Sequence, residues 1–310
     1  MRGACGRLIV IGAALSLAPR AAAQASHVVI VTGIGGGAEY AARFHASASA
    51  MAAAARSGGV PDGNIAYLAG DSAPGIARST KANVERALGD ALRRAGADDL
   101  VFVLLIGHGS HEGAESRLNL PGPDITAAGI SSLLAGARSR RVVVVNAASG
   151  SGDFGEVLRG PRRVVVTATR TALERNETRF ATPFVRALTT DEADADRDGR
   201  VSVLEAFAYA KREVARVYEN DKRLLTEHAV LSDSTLARSV SFGAPRSTTT
   251  DPRAAALVAE RSELEAQVAT LRGRKDKMSA AAYDAELERL LVLVAQKTQA
   301  IRALGTGAKP

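Results

Sequence analysis

Four uninterrupted apolar runs constrain this chain more than any other feature of it. They are His27–Thr32 (HVVIVT), Leu100–Ile106 (LVFVLLI), Arg141–Val145 (RVVVV) and Arg162–Thr167 (RRVVVT). A strand with one wet face alternates apolar and polar residues, whereas a strand covered on both faces reads as a continuous β-branched run. Helical segments separate these runs. Residues 38–56 are Ala-rich, and Thr80–Ala95 places Val84, Ala87, Leu88, Ala91 and Leu92 on one face. Ile125–Ala135 also reads as helix, and Asn64–Leu68 as a short strand after the turn Pro61-Asp62-Gly63. The pattern predicts an α/β architecture with a mostly parallel sheet, helices on both faces and right-handed crossovers. Chemistry in such a sheet belongs outside the carboxyl ends of its strands, here just after Thr32, Ile106, Val145 and Thr167.

The first residues read as a secretory leader. Arg2 and Arg7 precede the apolar stretch Leu8–Leu17, and Ala21-Ala22-Ala23 offers a cleavage site, so residues 1–23 are expected to be a signal peptide. The apolar stretch is too short to span a bilayer, and no transmembrane segment is expected. Export implies a periplasmic or extracellular location. The single cysteine, Cys5, lies in this leader, so the mature chain has no disulfide, thiolate ligand or thiol nucleophile. The formal charge of +7 includes Arg2, Arg7 and Arg20 of the leader. The remaining excess is spread thinly, Trp is absent and aromatic residues are only 4%, which argues against a nucleic-acid partner.

Residues 247–252 read as a linker between a domain of residues 24–246 and a helical segment at 253–305. There Leu257, Leu264 and Leu271 recur every seven residues, and Leu287, Val294 and Ile301 do so again beyond a short basic turn. Two such helices predict an antiparallel hairpin or coiled coil, with Ser279 as N-cap and Met278 and Tyr283 as a hydrophobic staple. It either packs on the α/β domain or serves partner binding or self-association.

Two loops stand at predicted strand ends. Gly33-Ile34-Gly35-Gly36-Gly37-Ala38 matches a dinucleotide fingerprint, yet no acidic residue follows at the usual distance of about 20 residues, Asp71 being much further on. The bland reading, a tight strand-to-helix turn, is preferred. Gly107-His108-Gly109-Ser110 follows the most apolar strand, and its glycines let backbone approach a ligand closely. The next strand ends in Asn146-Ala147-Ala148-Ser149-Gly150-Ser151-Gly152, where a nucleophile facing His108 would complete a dyad.

The succession HVVIVTG, PDGNIAYLAGD, FVLLIGHGS, VVVVNAASGSG, VVVTATRTA resembles the legumain-type (C13) peptidases over about residues 27–188. The resemblance implies a caspase-like three-layer α-β-α sandwich, with His108 as the family's base. It puts Ala148 where the family's nucleophilic Cys stands. It also places the family's supporting Asn near Ala42, and Gly107 where Asp is common before the His. Gly109 and Asn146 fall at substrate-contacting positions. An alanine cannot attack a carbonyl, so the covalent mechanism has no nucleophile. Ser149 or Ser151 would be the substitute, although their surroundings do not match G-x-S-x-G.

Asp194-Ala195-Asp196-Arg197-Asp198-Gly199-Arg200-Val201-Ser202-Val203-Leu204-Glu205 fits an EF-hand-type calcium loop. Asp194, Asp196 and Asp198 supply carboxylates, and Gly199 permits the turn. Arg200 offers its backbone carbonyl, Ser202 suits the ninth position and Glu205 closes the site bidentately. Phe180–Leu188 and Ala206–Val217 are the flanking helices. The alternative is an acidic solvated loop.

These readings converge on an exported C13-like protein without its nucleophile, holding Ca²⁺ and binding a peptide or protein. The alternatives are a residual hydrolase using Ser149 or Ser151 with His108, and a calcium-stabilised structural or partner-docking protein.

Overall fold

The computed structural model describes residues 24–241 except 114 and 197, then 252–275 and 278–306. The expected leader and most of the expected linker lie outside these residues. Among the described residues no helix is long and apolar enough to cross a membrane.

The four apolar runs form the centre of a seven-stranded sheet. In chain order its strands are β1 (Ser26–Thr32), β2 (Ile65–Ala69), β3 (Ala77–Arg78), β4 (Leu100–Ile106), β8 (Arg141–Asn146), β9 (Arg163–Thr167) and β10 (Val230–Leu231). Their spatial order is β10-β9-β8-β4-β1-β2-β3, parallel throughout except for β10, which runs antiparallel to β9. The register sets Val28 beside Phe102 and Phe102 beside Val143, so residues of one parity share a face.

Each face has its own core. Val28, Ile30, Phe102, Leu104, Val143, Val145 and Val164 pack under α1 (Ala38–Ser57), α5 (Ala181–Thr189), α6 (Val203–Asn220) and α7 (Ser234–Ser239). Val29, Val31, Val101, Val103, Leu105, Val142 and Val165 pack under α2 (Lys81–Arg94), α3 (Ala127–Leu134) and α4 (Gly152–Val157). All seven residues of β4 are buried, which is why its sequence shows no alternation. Each fully buried aliphatic side chain contributes about 1.5–3 kcal/mol against exposure. The architecture is therefore the expected three-layer α/β sandwich.

Local differences from the sequence reading have local causes. The segment expected to be helical from Ile125 begins its helix only at Ala127. Ile125 and Thr126 form β7, pairing with Leu118 and Arg117, and the Thr126 hydroxyl accepts the Gly129 N–H at 3.0 Å as N-cap. β7 belongs to a separate antiparallel sheet with β5 (Gly109–Glu112) and β6 (Glu115–Leu118). Thr80 caps α2, accepting from Asn83 N–H at 3.4 Å.

Beyond the α/β layers, α8 (Pro252–Arg272) and α9 (Ala280–Thr306) pack on each other through Val268, Leu271, Tyr283 and Leu290. An ion pair between Glu260, early in α8, and Lys297, late in α9, fits an antiparallel arrangement. The Ser279 hydroxyl accepts the Ala282 N–H at 3.3 Å, as an N-cap does.

Candidate functional site

The sheet has a topological switch between β1 and β4. From β1 the chain leaves on the α1 face toward β2, and from β4 it proceeds on the α3 face toward β8. The connections therefore diverge and leave a crevice at the carboxyl ends of this pair. The Gly33 N–H extends the ladder by donating to the Ile106 carbonyl at 2.7 Å, which brings the glycine turn against the His108 loop.

His108 stands at that crevice. Its Nε2 bonds the Gly35 carbonyl at 3.2 Å, and its ring meets Tyr40 and Phe44 edge-on with centroids 5.1 and 5.3 Å apart. The glycine turn itself is held from outside, because Asp71 Oδ2 accepts the Gly35 N–H at 2.8 Å.

The residues after β8 are arranged differently. Ala148 is 1% exposed and packs with the α2–α4 core, while Ala147 packs with the opposite one. Successive residues at a strand end face opposite ways. Phe44, which touches the His108 ring, belongs to the α1 face. Ser149 is 2% exposed, and its hydroxyl accepts the Gly109 N–H at 3.2 Å. Ser151 Oγ accepts from Ala168 and Thr169 N–H at 3.1 and 3.2 Å and lies 3.2 Å from Thr169 Oγ1. Asn146 Oδ1 accepts the Ala148 N–H at 3.1 Å. Both serine hydroxyls thus accept backbone N–H groups of adjoining segments, Ser149 from the His108 loop and Ser151 from the residues after β9. Gly109 approaches that turn so closely that a Cβ there would lie 2.3 Å from the Ser149 carbonyl oxygen.

A cavity of about 300 Å³ opens beside this loop cluster, lined by Phe44, Ile106, Ala147, Thr178 and Val214, with Arg43, Arg179 and Arg186 among its polar walls. Arg43 pairs with Glu177, and Arg186 with Glu192 at 2.7 Å. Burial, then the neighbouring Arg179 charge, lowers the Arg43 pKa. Thr178 donates its hydroxyl to the Ala147 carbonyl at 2.6 Å, tying one wall to the strand end. Glu227 supports the same wall: it is 3% exposed and Oε1 accepts the Arg179 N–H at 2.7 Å. Burial pushes its carboxyl up to about 7.

Sequence inspection misses the three arginines and Glu227, because Arg43, the pair Arg179 and Arg186, and Glu227 come from three separate parts of the chain. It also misses a polar group on the small sheet. His111 Nδ1 lies 3.1 Å from both Ser116 Oγ and Asp153 Oδ2, and the Ser116 hydroxyl donates to that carboxylate at 2.9 Å. The serine proton goes to the acid and not to the imidazole, so the group fastens β5–β6 to α4 and prepares no nucleophile.

The acidic loop forms a second candidate centre. Asp194, Asp196 and Asp198 bring carboxylate oxygens within 4.8 Å of one another, a donor set that suits a hard cation. Gly199 takes φ +80°, and its N–H donates to Asp194 Oδ2 at 2.9 Å. Glu205 stands apart from the three. Oε1 accepts from Ala195 and Asp196 N–H, and Oε2 from the Ser202 N–H and hydroxyl, while the Ser202 hydroxyl accepts the Glu205 N–H. Glu205 and Ser202 form the capping box of α6. Burial pushes the Glu205 pKa up, with Asp196 adding to it. The Arg200 N–H donates to Asp198 Oδ1 at 2.7 Å. Arg261 of α8, which no loop motif announces, hydrogen-bonds both Asp196 and Asp198.

No family model and no curated protein matches this sequence. Among solved structures, the chain is similar to the protein GSU0716 from Geobacter sulfurreducens at 14% identity and TM-score 0.44, covering 73% of this chain and 96% of that one. It is also similar to caspase-1 from Spodoptera frugiperda at 10% identity and TM-score 0.42, covering 68% of this chain and 87% of that one.

Proposed function

We propose that the chain is an exported, catalytically inactive relative of the legumain-type peptidases, and that it binds an extended peptide or protein segment in the crevice beside His108. The observation that carries this reading is that no cysteine follows Cys5, with Ala148 standing where the resemblance puts the nucleophile and packed with the α2–α4 core. The base position is kept, the attacking group is missing, and the neighbouring serine hydroxyls accept backbone N–H groups of the His108 loop and of the segment after β9. What remains is a crevice with backbone edges, an adjoining apolar cavity and cationic groups at its wall. Such a surface binds without bond cleavage. The loop at 194–205 is read as a calcium site that stabilises the fold, with Asp194, Asp196 and Asp198 holding the ion through carboxylate oxygens.

The test uses residues 24–310, labelled peptide libraries, and mass spectrometry of the peptides afterward. Saturable binding with intact peptides supports the reading. Turnover lost in His108→Ala, or fluorophosphonate labelling at Ser149 or Ser151, would replace it with a serine hydrolase. Absence of any peptide binding would leave the crevice without the proposed role.

A further inference from the structure

We infer that Arg261 is the chain's own cation for the acidic loop, so that docking of the α8–α9 hairpin and calcium binding compete for the same carboxylate oxygens. The inference rests on the calcium reading given above.

The division of oxygens at the loop is specific. Asp196 Oδ1 accepts the Asp198 N–H at 3.3 Å, and Asp198 Oδ1 accepts the Arg200 N–H at 2.7 Å. Both inner oxygens therefore shape the loop. Both outer oxygens, Asp196 Oδ2 and Asp198 Oδ2, go to the two terminal nitrogens of Arg261. The guanidinium is planar and forked, which suits two carboxylates side by side. Calcium requires six to eight oxygens at about 2.3–2.6 Å. With Arg261 between them, Asp196 and Asp198 cannot both turn their outer oxygens onto an ion.

Arg261 is unusual for an arginine on a two-helix hairpin. It is 4% exposed, its Nε has no hydrogen-bond partner, and Glu265 Oε1 lies 3.5 Å from that nitrogen. The buried arginine is thus matched to the loop and incompletely satisfied by its own helix. The hairpin's apolar core, Val268, Leu271, Tyr283 and Leu290, is separate from the two cores of the sheet. Its hold on the domain includes a second arginine, Arg272, which donates to both oxygens of Asp233 at 2.8 and 2.9 Å. Arg261 and Arg272 lie about 16 Å apart along α8 at 1.5 Å per residue. A divalent ion at the loop displaces the first latch and leaves the second, so the Pro252 end of the hairpin swings free while the Arg272 end holds. By linkage, a docked hairpin weakens calcium binding by the same factor that calcium weakens docking.

The experiment measures calcium affinity by calorimetry on residues 24–310 in the natural sequence, Arg261→Ala and Arg261→Lys. It also measures hairpin position in otherwise natural protein with spin labels at Ser262→Cys and Lys211→Cys, which label cleanly because no other cysteine follows Cys5. Arg261→Ala is expected to bind calcium about tenfold more tightly, within the usual range of coupling between sites, with Arg261→Lys in between. Calcium is expected to lengthen the label separation, a readout that needs no Arg261 variant to fold. Equal affinities and an unchanged separation would overturn the competition while leaving the calcium site intact. No calcium binding in any of the three proteins would overturn the calcium reading itself, and the competition with it.

Discussion

His108 Nε2 donates to the Gly35 carbonyl oxygen at 3.2 Å, and the imidazole rests there against the Tyr40 and Phe44 rings. A carbonyl has only lone pairs to offer, so the hydrogen lies on Nε2 and a neutral ring keeps its lone pair on Nδ1. The nitrogen nearest the glycine turn is therefore a donor, which suits holding a turn in shape better than abstracting a proton there.

Restoring a thiol should not restore the chemistry. Ala148 packs with the α2–α4 core, on the opposite side from the residues that hold His108. We expect Ala148→Cys to leave asparaginyl and aspartyl fluorogenic peptides uncut, and the added sulfur to cost about 1–3 kcal/mol of stability through overpacking. Thermal melts and peptide turnover check both parts. Turnover that vanishes on further replacing His108 with Ala would refute the assignment of faces.

Stability should fall as pH rises through neutrality, on account of Glu227. Its folded-state pKa is raised to about 7, chiefly by burial, so the folded protein holds a proton there that the unfolded chain releases near pH 4.5. The contribution is fully present below the unfolded value and is lost as pH climbs toward and past 7. Its size is on the order of 3 kcal/mol at most, at about 1.4 kcal/mol per unit. Glu227→Gln keeps an acceptor for the Arg179 N–H, and urea titrations between pH 5 and 8 should show a flatter profile for it than for the natural protein.

Gly109→Ala should destabilise without touching any charged group. The new methyl would meet the Ser149 carbonyl oxygen at 2.3 Å, well inside contact distance, so β5 and the turn after β8 must separate. A loss of about 1–3 kcal/mol is expected, as for other overpacked sites. A chemical-denaturation midpoint equal to that of the natural protein would show that the turn yields freely.

Glu205 stabilises the fold without any metal. Its carboxylate closes the α6 capping box and accepts two further N–H groups from the start of the loop. In chelator, Glu205→Ala should cost about 1 kcal/mol, the usual worth of a lost cap. In calcium, Asp198→Asn should lose most of any rise in Tm that the natural protein gains. A ligand at ~100 times its Kd adds about 2.7 kcal/mol.

The legible parts of the molecule were those written in contiguous residues. β1, β4, β8 and β9 announce themselves because burial on both faces forces continuous Val, Ile and Leu. The placement of His108 at a strand end followed from the same runs. β5 and β6 (GSHE and ESRL) carry no legible pattern because they form a small, half-wet antiparallel sheet whose pairing depends on what covers it. The three aspartates were visible from their spacing, but the capping role of Glu205 was not, since a loop-closing Glu and a capping-box Glu occupy the same position after Ser202. Arg261 lies more than sixty residues from its aspartates, on a helix full of other charges. No local pattern separates it from an ordinary surface arginine.

The sheet tapers to a two-residue strand at each side, Ala77–Arg78 at one margin and Val230–Leu231 at the other. An edge this short offers too few free N–H and C=O groups to template a strand from a second molecule. Of the five longer strands between, β1, β4, β8 and β9 carry the valine-containing stretches that would nucleate cross-β stacking if laid bare. Edge addition therefore finds only a short ladder on either flank, while β4 and β8 stay enclosed between neighbours. Loosening the hairpin would lengthen neither edge of this sheet, so aggregation is expected to follow only once the central strands themselves come apart.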